Sequence, residues 1–375
     1  MKKDKNKSLL IAIPSASAIG GVEREVKIHA TKFREIFSRI IIAIITFGGK
    51  KPEIDIPASE IHHIRLLPLT KTPFSIFHRA KLLHRFKKDI LHQKIDMVLC
   101  YSAPITSYIV KLFSELKIPI VSVVVGNYKY RFRKMASFYY RKIIAESTRT
   151  IFVSENLRAD FFRYHHIPES YIDKTSVIYS PIDTDNFSPP KYQTESTEKN
   201  IVAVGRLSSG KNFDICIKAF AMVSRKYSDV NLLLIGDGPE RKNLEKLAHS
   251  LGIDNRVKFL GFVDNIAPIL CRSYMLVHTA RYEGFGRVIA ESLSCGVPVV
   301  TSSKGGPEEI LADNIGGYLV APNPEKIAEK IIYLLENPEI RIKLGELGRK
   351  RAVENYSIPI FEEKMKKIYK LALEK

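Results

Sequence analysis

Short apolar runs of strand length, each followed by an amphipathic or polar stretch, recur along the whole chain in two series. The first comprises SLLIAIP, RIIIAIITF, DMVLCYS, IPIVSVVV, RTIFVS and SVIYS, with stretches such as SIFHRAKLLHRFKKDILHQK between them. The second comprises NIVAVG, NLLLIGDG, RVKFLGFV, MLVHTA, PVVTS and GGYLV. Strands alternating with helices in this way point to parallel α/β architecture. Between the series lies SPPKYQTESTEKN, polar and marked by prolines, which reads as a linker. At 375 residues the chain exceeds one ordinary core, and two domains are the expectation. The predicted fold is therefore two doubly wound, Rossmann-like domains, over residues 1–186 and 200–356, joined by a linker over 187–199.

The N-terminal MKKDKNKSLLIAIPSAS resembles a signal peptide. Its apolar run LLIAI is too short for one before Pro14, so a first β-strand is expected. The longest apolar run, IIIAIITF at 40–47, is far below the roughly 20 residues of a membrane span. Cys100, Cys216, Cys271 and Cys295 are widely spaced and are expected to be reduced thiols in a cytoplasmic protein. Residues 1–190 hold 31 Lys and Arg against 17 Asp and Glu, whereas the rest hold 28 against 23. That excess predicts an anionic partner for the first half: lipid headgroups, a phosphorylated acceptor or nucleic acid.

Ligands of open α/β sheets bind beyond the carboxyl ends of the strands. This rule selects PSASAIGGVER and VVVGNYKYRF in the first half, and GRLSSGK, GDGPE, GFVDN, ARYEGFG and SSKGGPEE in the second. Several are glycine-containing loops that open helices, where backbone N–H groups and the helix dipole favour phosphate. Arg206 and Lys211, five residues apart at one strand end, suit a diphosphate, one cation for each phosphoryl group. Glu283 and Glu291 bracket a turn whose Gly284, Phe285 and Gly286 can present backbone donors. On an ideal helix Glu291 falls about 130° from the Val288/Ile289/Ser292/Leu293 stripe, so the pattern does not force it into the core. Carboxylates beside a diphosphate make sense when turned toward hydroxyl groups: Glu291 toward a ribose diol, Glu283 toward a sugar.

Taken in order, IGGVER, VIYSPIDTDNF, VGRLSSGKN, LIGDGPE, FLGFV, EGFGRVIAE and SKGGPEEIL resemble the retaining nucleotide-sugar glycosyltransferases of the GT-B fold that carry an E-x7-E motif (family 4, glycosyl transferases group 1). The resemblance runs nearly end to end. It implies two domains facing across a cleft, with a C-terminal helix (357–375) returning to the first. It further implies that Arg206 and Lys211 hold the donor diphosphate and stabilise the leaving group. Glu283 would contact the donor sugar and Glu291 the ribose; Gly20 and Gly21 would close over the phosphates, and Phe262–Val263 would lie near the base. The implied chemistry is front-face transfer with retention, in which the departing diphosphate helps deprotonate the acceptor. The implied acceptor is lipid-linked or a saccharide, as in lipopolysaccharide- or capsule-type glycans. No cofactor or metal is implied beyond the nucleotide sugar.

One departure stands out: many relatives have a histidine where Val125 precedes Gly126. Asn127, next in line, reads first as a loop residue and second as a replacement for that histidine near the acceptor. Asp183-Thr184-Asp185 matches a metal-binding DxD pattern but reads as turn chemistry before the linker. The pairs His62-His63 and His165-His166 lack helical metal spacing and read as surface histidines. The segment YKYRFRKMASFYYRK (128–142) mixes six cations with six aromatics, and Arg131, Arg133 and Lys134 form its most basic part. Such a mixture suits bases or a membrane interface. Beside a sugar-transfer site an anionic membrane is the simpler partner, so peripheral association with the inner membrane face is expected, without nucleic acid. The competing readings are a GT-B epimerase or phosphorylase, and a basic nucleic-acid-binding protein that would leave Arg206, Lys211 and Glu283 idle.

Overall fold

The computed structural model describes residues 7–15, 21–47, 56–66, 92–103, 106–126, 133–190 and 199–374, together with 84, 88 and 90. It divides into two units, residues 1–178 with 361–375, and residues 179–360. Both are layered α/β structures on parallel sheets.

In the first unit the chain forms β1 (Ser8–Ser15), α1 (Gly21–Lys32), β2 (Arg39–Phe47), β3 (Glu60–Leu66), β4 (Met97–Tyr101) and α2 (Ser107–Glu115). It continues through β5 (Ile120–Val124), α3 (Arg133–Glu146), β6 (Arg149–Phe152), α4 (Glu155–His165) and β7 (Thr175–Val177). The sheet order is β3-β2-β1-β4-β5-β6-β7. Leu9 to Ile13 of β1 are wholly buried, as expected of a central strand covered on both faces. β3 is not among the predicted runs, because EIHHIRL is half polar; among the described residues it is an edge strand paired with β2. His165 corrects the expectation of surface histidines. It is fully buried, bonded to Ser137 Oγ at 2.9 Å and packed against Tyr140 and Phe161, because it lies on the inward face of α4.

The second unit runs β8 (Lys199–Val204), α5 (Phe213–Lys226), β9 (Val230–Ile235), α6 (Arg241–Ser250), β10 (Val257–Gly261), α7 (Ala267–Leu270), β11 (Met275–His278) and β12 (Tyr282–Glu283). Then come α8 (Arg287–Ser294), β13 (Val299–Thr301), β14 (Lys304–Gly305), α9 (Gly306–Ile310), β15 (Gly317–Leu319), α10 (Pro324–Glu336), α11 (Pro338–Tyr356) and α12 (Ile358–Leu373). Its main sheet has the order β10-β9-β8-β11-β13-β15. Leu232 and Leu234 from β9, Phe220 from α5 and Ile327 and Ile331 from α10 meet in one core. Among the described residues no helix is long and apolar enough to cross a membrane.

The chain leaves the first unit at Ile178, ahead of the 187–199 linker drawn from the sequence. Residues 182–187 belong to the second unit because its helices hold them. Ile182 N–H donates to Tyr356 C=O at 2.7 Å, and Ile182 pairs with Ser357 as an isolated parallel bridge. Arg349 donates to the Thr184, Phe187 and Ser294 carbonyls. Asp183 Oδ1 accepts from Asn186 N–H at 3.1 Å, a side-chain turn.

From Phe361 onward α12 belongs to the first unit. Phe361 and Tyr369 pack on His29 and Phe33 of the α1 region, and Tyr369 also meets Phe37. Tyr369 Oη lies 2.9 Å from His29 Nδ1. Burial pulls His29 down from 6.5 to about 3, so it is neutral when folded. Between those values the unfolded chain binds the proton and the folded one does not, so stability falls as the pH drops through that window, by about 1.4 kcal/mol per pH unit for one group. Urea unfolding from pH 7 to pH 4 is expected to show this loss, and His29→Gln is expected to flatten it. An unchanged slope in the variant would refute the assignment.

Candidate active site

The loop after β8 carries Gly205 and the exposed Arg206, then a 3-10 turn, Ser209–Lys211. Asn212 ends that turn at φ 50° and starts α5. The loop after β11 holds the turn in place. Thr279 Oγ1 lies 3.0 Å from Lys211 C=O and 2.9 Å from Asn212 C=O, and Arg281 N–H donates to Gly210 C=O at 3.0 Å. Two loops that are distant in sequence thus bring Lys211 to Glu283.

Glu283 does not sit in an open loop, as its sequence context implied. It lies in β12, which pairs in parallel with β14 through Tyr282↔Lys304 and Glu283↔Gly305. The pairing requires glycine at 305 and 306. A Cβ on Gly305 would lie 2.3 Å from Glu283 O, and one on Gly306 would lie 2.4 Å from Phe285 Cα. Gly286 follows at φ 97° as the N-cap of α8.

Three charged or polar side chains converge here. Glu283 Oε1 is ion-paired with Lys211 Nζ and lies 3.2 Å from His278 Nε2. His278, the last residue of β11, is 4% exposed, and its Nδ1 is 2.8 Å from Ser303 Oγ. Burial by itself would raise the Glu283 carboxyl. Its interaction with His278, followed by that with Lys211, outweighs burial and holds it down at about 2. Glu283 is a carboxylate throughout the physiological range.

Glu291 differs from expectation. It is buried, 3.8 Å from Arg287 Nη2 one helical turn earlier. The direction away from its own apolar stripe is buried as well, whereas α11 packs on the Leu293 side of that helix. The approach is close: a Cβ on Gly345 would lie 2.1 Å from Gly296 O, and one on Gly348 would lie 2.8 Å from Leu293 Cδ2. The Phe285 ring is also buried. It stacks on Tyr179 (5.7 Å, 27°) and meets Tyr356 edge-on (5.2 Å), so position 285 can offer a ligand its backbone only. Tyr179 donates to Glu309.

Other predicted residues are dispersed. Val263 is half-buried beside Phe262, which is 68% exposed on the loop after β10. Gly21 begins α1, and Gly20 lies outside the described residues. Val125 and Gly126 follow β5; Asn127, Arg131 and the Arg133 side chain lie outside the described residues. Lys134 is exposed on α3, as is Phe138. The cysteine expectation is half corrected. Cys100 and Cys216 are free and buried, with burial pushing their thiols up to about 12. Cys271 and Cys295 form a disulfide, because the ends of α7 and α8 bring their Cα atoms within 4.7 Å. Their separation of 24 residues gives no hint of this.

His278 and Ser303 are the site residues that the sequence reading missed. A lone histidine in MLVHTA reads as a strand residue. The available signal was its place as the one ionisable group in that apolar run, at the strand end nearest Glu283.

The family model described as glycosyl transferases group 1 matches residues 185–351, and that of glycosyltransferase family 4 matches residues 19–186. The uncharacterized glycosyltransferase MJ1607 of Methanocaldococcus jannaschii is 31% identical over 61% of this chain and 61% of its own length. The lipopolysaccharide core biosynthesis glycosyltransferase LpsE of Rhizobium meliloti is 33% identical over 44% of this chain and 48% of its own. Both matches span less than two thirds of those relatives. The crystal structure of Anabaena Alr3699/HepE in complex with UDP-glucose has the same fold, with a TM-score of 0.77 at 18% identity over 97% of this chain and 99% of that one.

Proposed function

Because this chain belongs to the glycosyl transferases group 1 family and has its GT-B fold, we propose that it moves a sugar, with retention, from a nucleotide-diphosphate sugar to a lipid-linked or saccharide acceptor in surface-glycan synthesis. The observation that carries this reading is the cluster of Lys211, Glu283 and His278 at adjoining strand ends, with Arg206 exposed on the same loop as Lys211. Two cations five residues apart match a diphosphate, and a fixed carboxylate matches the hydroxyls of a sugar. The donor class is supported by the UDP-glucose held by the Anabaena protein, and the glycan context by the name of the Rhizobium relative.

In this reading Arg206 and Lys211 neutralise the diphosphate as its bond to the sugar breaks, which stabilises charge where it develops. The diphosphate oxygen then accepts the acceptor's proton on the same face. Glu283 orients the sugar, Glu291 the ribose, and the Phe262–Val263 loop borders the base. The two cations take the part a divalent ion would play, so EDTA is expected to leave turnover unchanged.

The test is incubation with a panel of radiolabelled nucleotide sugars, with and without membrane lipid extract; no transfer from any donor would defeat the reading. The carboxylates supply a finer check. Glu291→Gln loses a contact remote from the breaking bond and is expected mainly to raise the donor KM. Glu283→Gln disturbs the sugar as its anomeric carbon becomes positive, so kcat is expected to fall most. Nucleotide diphosphate should bind the Glu283 variant normally and the Glu291 variant less well. The opposite pattern would reverse the two roles.

The acceptor's membrane is proposed to meet the basic segment around α3. Lys134, Phe138 and Arg141 are exposed along that helix, and each cation near an anionic surface contributes roughly 1 kcal/mol. Joint neutralisation of Arg131, Arg133 and Lys134 is expected to release the protein from anionic vesicles at physiological salt. Equal sedimentation of wild type and variant would remove the segment from the proposal.

A further inference from the structure

The hydrogen bonds around His278 can be counted atom by atom. Ser303 has one hydroxyl proton, which it donates to Ala280 C=O at 2.6 Å. Ser303 Oγ therefore faces His278 Nδ1, 2.8 Å away, as an acceptor, and Nδ1 carries a proton. At the other edge of the ring Nε2 lies 3.2 Å from Glu283 Oε1. That oxygen is also paired with Lys211 Nζ, a group that only donates, so it acts as a carboxylate oxygen. A carboxylate oxygen only accepts. At this ion-pair distance a bare Nε2 lone pair would oppose the carboxylate, so Nε2 is assigned a proton as well.

The surroundings hold the ring in this role. His278 ends β11, paired with Thr301 of β13, and Thr301 Oγ1 donates to its backbone carbonyl at 2.8 Å. Among the described residues, the ion pairs that reach the ring run to Glu283, on β12, and, through it, to Lys211, on the loop before α5.

We infer that His278 is a positioning residue protonated on both ring nitrogens, anchored by Ser303 and ion-paired to Glu283, which it holds in place when Lys211 turns to a diphosphate. The inference rests on the glycosyl-transfer reading for its purpose, though not for its geometry. It accounts for an apparent conflict, since Lys211 is asked to bind a diphosphate and yet is paired with Glu283. With two donors on one oxygen, Lys211 can move to an incoming phosphoryl group while His278 retains the carboxylate. Two cations around one carboxylate also leave a net positive charge, which favours the arrival of an anion.

The decisive measurement uses the full-length protein with ¹⁵N-labelled histidine rings, at pH 7 and without any donor. His278→Gln assigns the resonance among the ten histidines. Both His278 nitrogens are expected at protonated shifts; one unprotonated nitrogen overturns the inference. If His278→Gln does not fold, Ser303→Ala supplies the assignment, because its loss of the Nδ1 acceptor is expected to move that nitrogen alone. In kinetics, His278→Leu is expected to lower kcat roughly 10- to 100-fold, the loss that goes with one charge-assisted hydrogen bond, with donor KM little changed. His278→Gln, which keeps a donor toward Glu283, is expected to recover part of that loss. Unchanged kcat in His278→Leu also overturns it. A donor panel without transfer, together with a doubly protonated ring, would sink the function and leave the geometry standing.

Discussion

Lys211→Ala is expected to lower turnover about 10²-fold or more, the loss typical of removing one preorganised group that stabilises developing charge. The size follows from its setting. Lys211 is only partly exposed and its backbone is held by Thr279, so it is positioned before any ligand arrives. Its removal also leaves Glu283 with His278 as the remaining neighbour at that oxygen among the described residues. Arg206→Ala should act in the same direction and more weakly, because an exposed guanidinium is screened by water and has its geometry less fixed. Both variants should also bind nucleotide diphosphate less tightly. Initial rates at saturating donor, with calorimetric titration of the nucleotide product, separate the two effects. Near-normal rates in both variants would remove this loop from the mechanism.

Tyr369→Ala is expected to give the largest loss of stability, about 3–5 kcal/mol for deleting a buried aromatic side chain. Tyr369 is fully buried, its ring meets Phe33 and Phe37 at 5.2 Å each, and its hydroxyl lies on His29. The substitution opens a cavity and strips the buried imidazole of a partner. Tyr369→Phe keeps the ring and loses the hydroxyl contact, for about 1 kcal/mol. Two units need not unfold together, so the first unit's transition should move while the second's stays. A loss in Tyr369→Ala no greater than in Tyr369→Phe would show that α12 is dispensable to that core.

Much of the architecture was readable because parallel strands buried on both faces appear as continuous apolar runs. NLLLIGDG, for example, becomes β9 with its leucines in the core. What escaped notice depended on neighbours far away in sequence. The half-polar EIHHIRL finds its place only through pairing with β2. Helix periodicity located Glu291 on its own helix correctly, but could not know that this side is buried too. Glu283 was found by spacing, whereas the pairing with Gly305 that fixes it joins segments separated by a whole helix and strand. His278 was invisible for the same reason: its partners, Glu283 and Ser303, come from different elements.

The bridge between Ile182 and Ser357 bears on how the molecule can be taken apart. The segment that enters the second unit and the segment that leaves it are bonded side by side, Ile182 N–H on Tyr356 C=O, with both tyrosines 179 and 356 against Phe285. A stretch of chain whose two ends meet has the layout of an inserted cassette, and such layouts tolerate cutting and transplanting. Residues 179–360 could be expressed alone, or exchanged as one block with the equivalent block of a relative, with the two new junctions lying together. A chimaera built that way would carry its Lys211–Glu283–His278 cluster intact within one block.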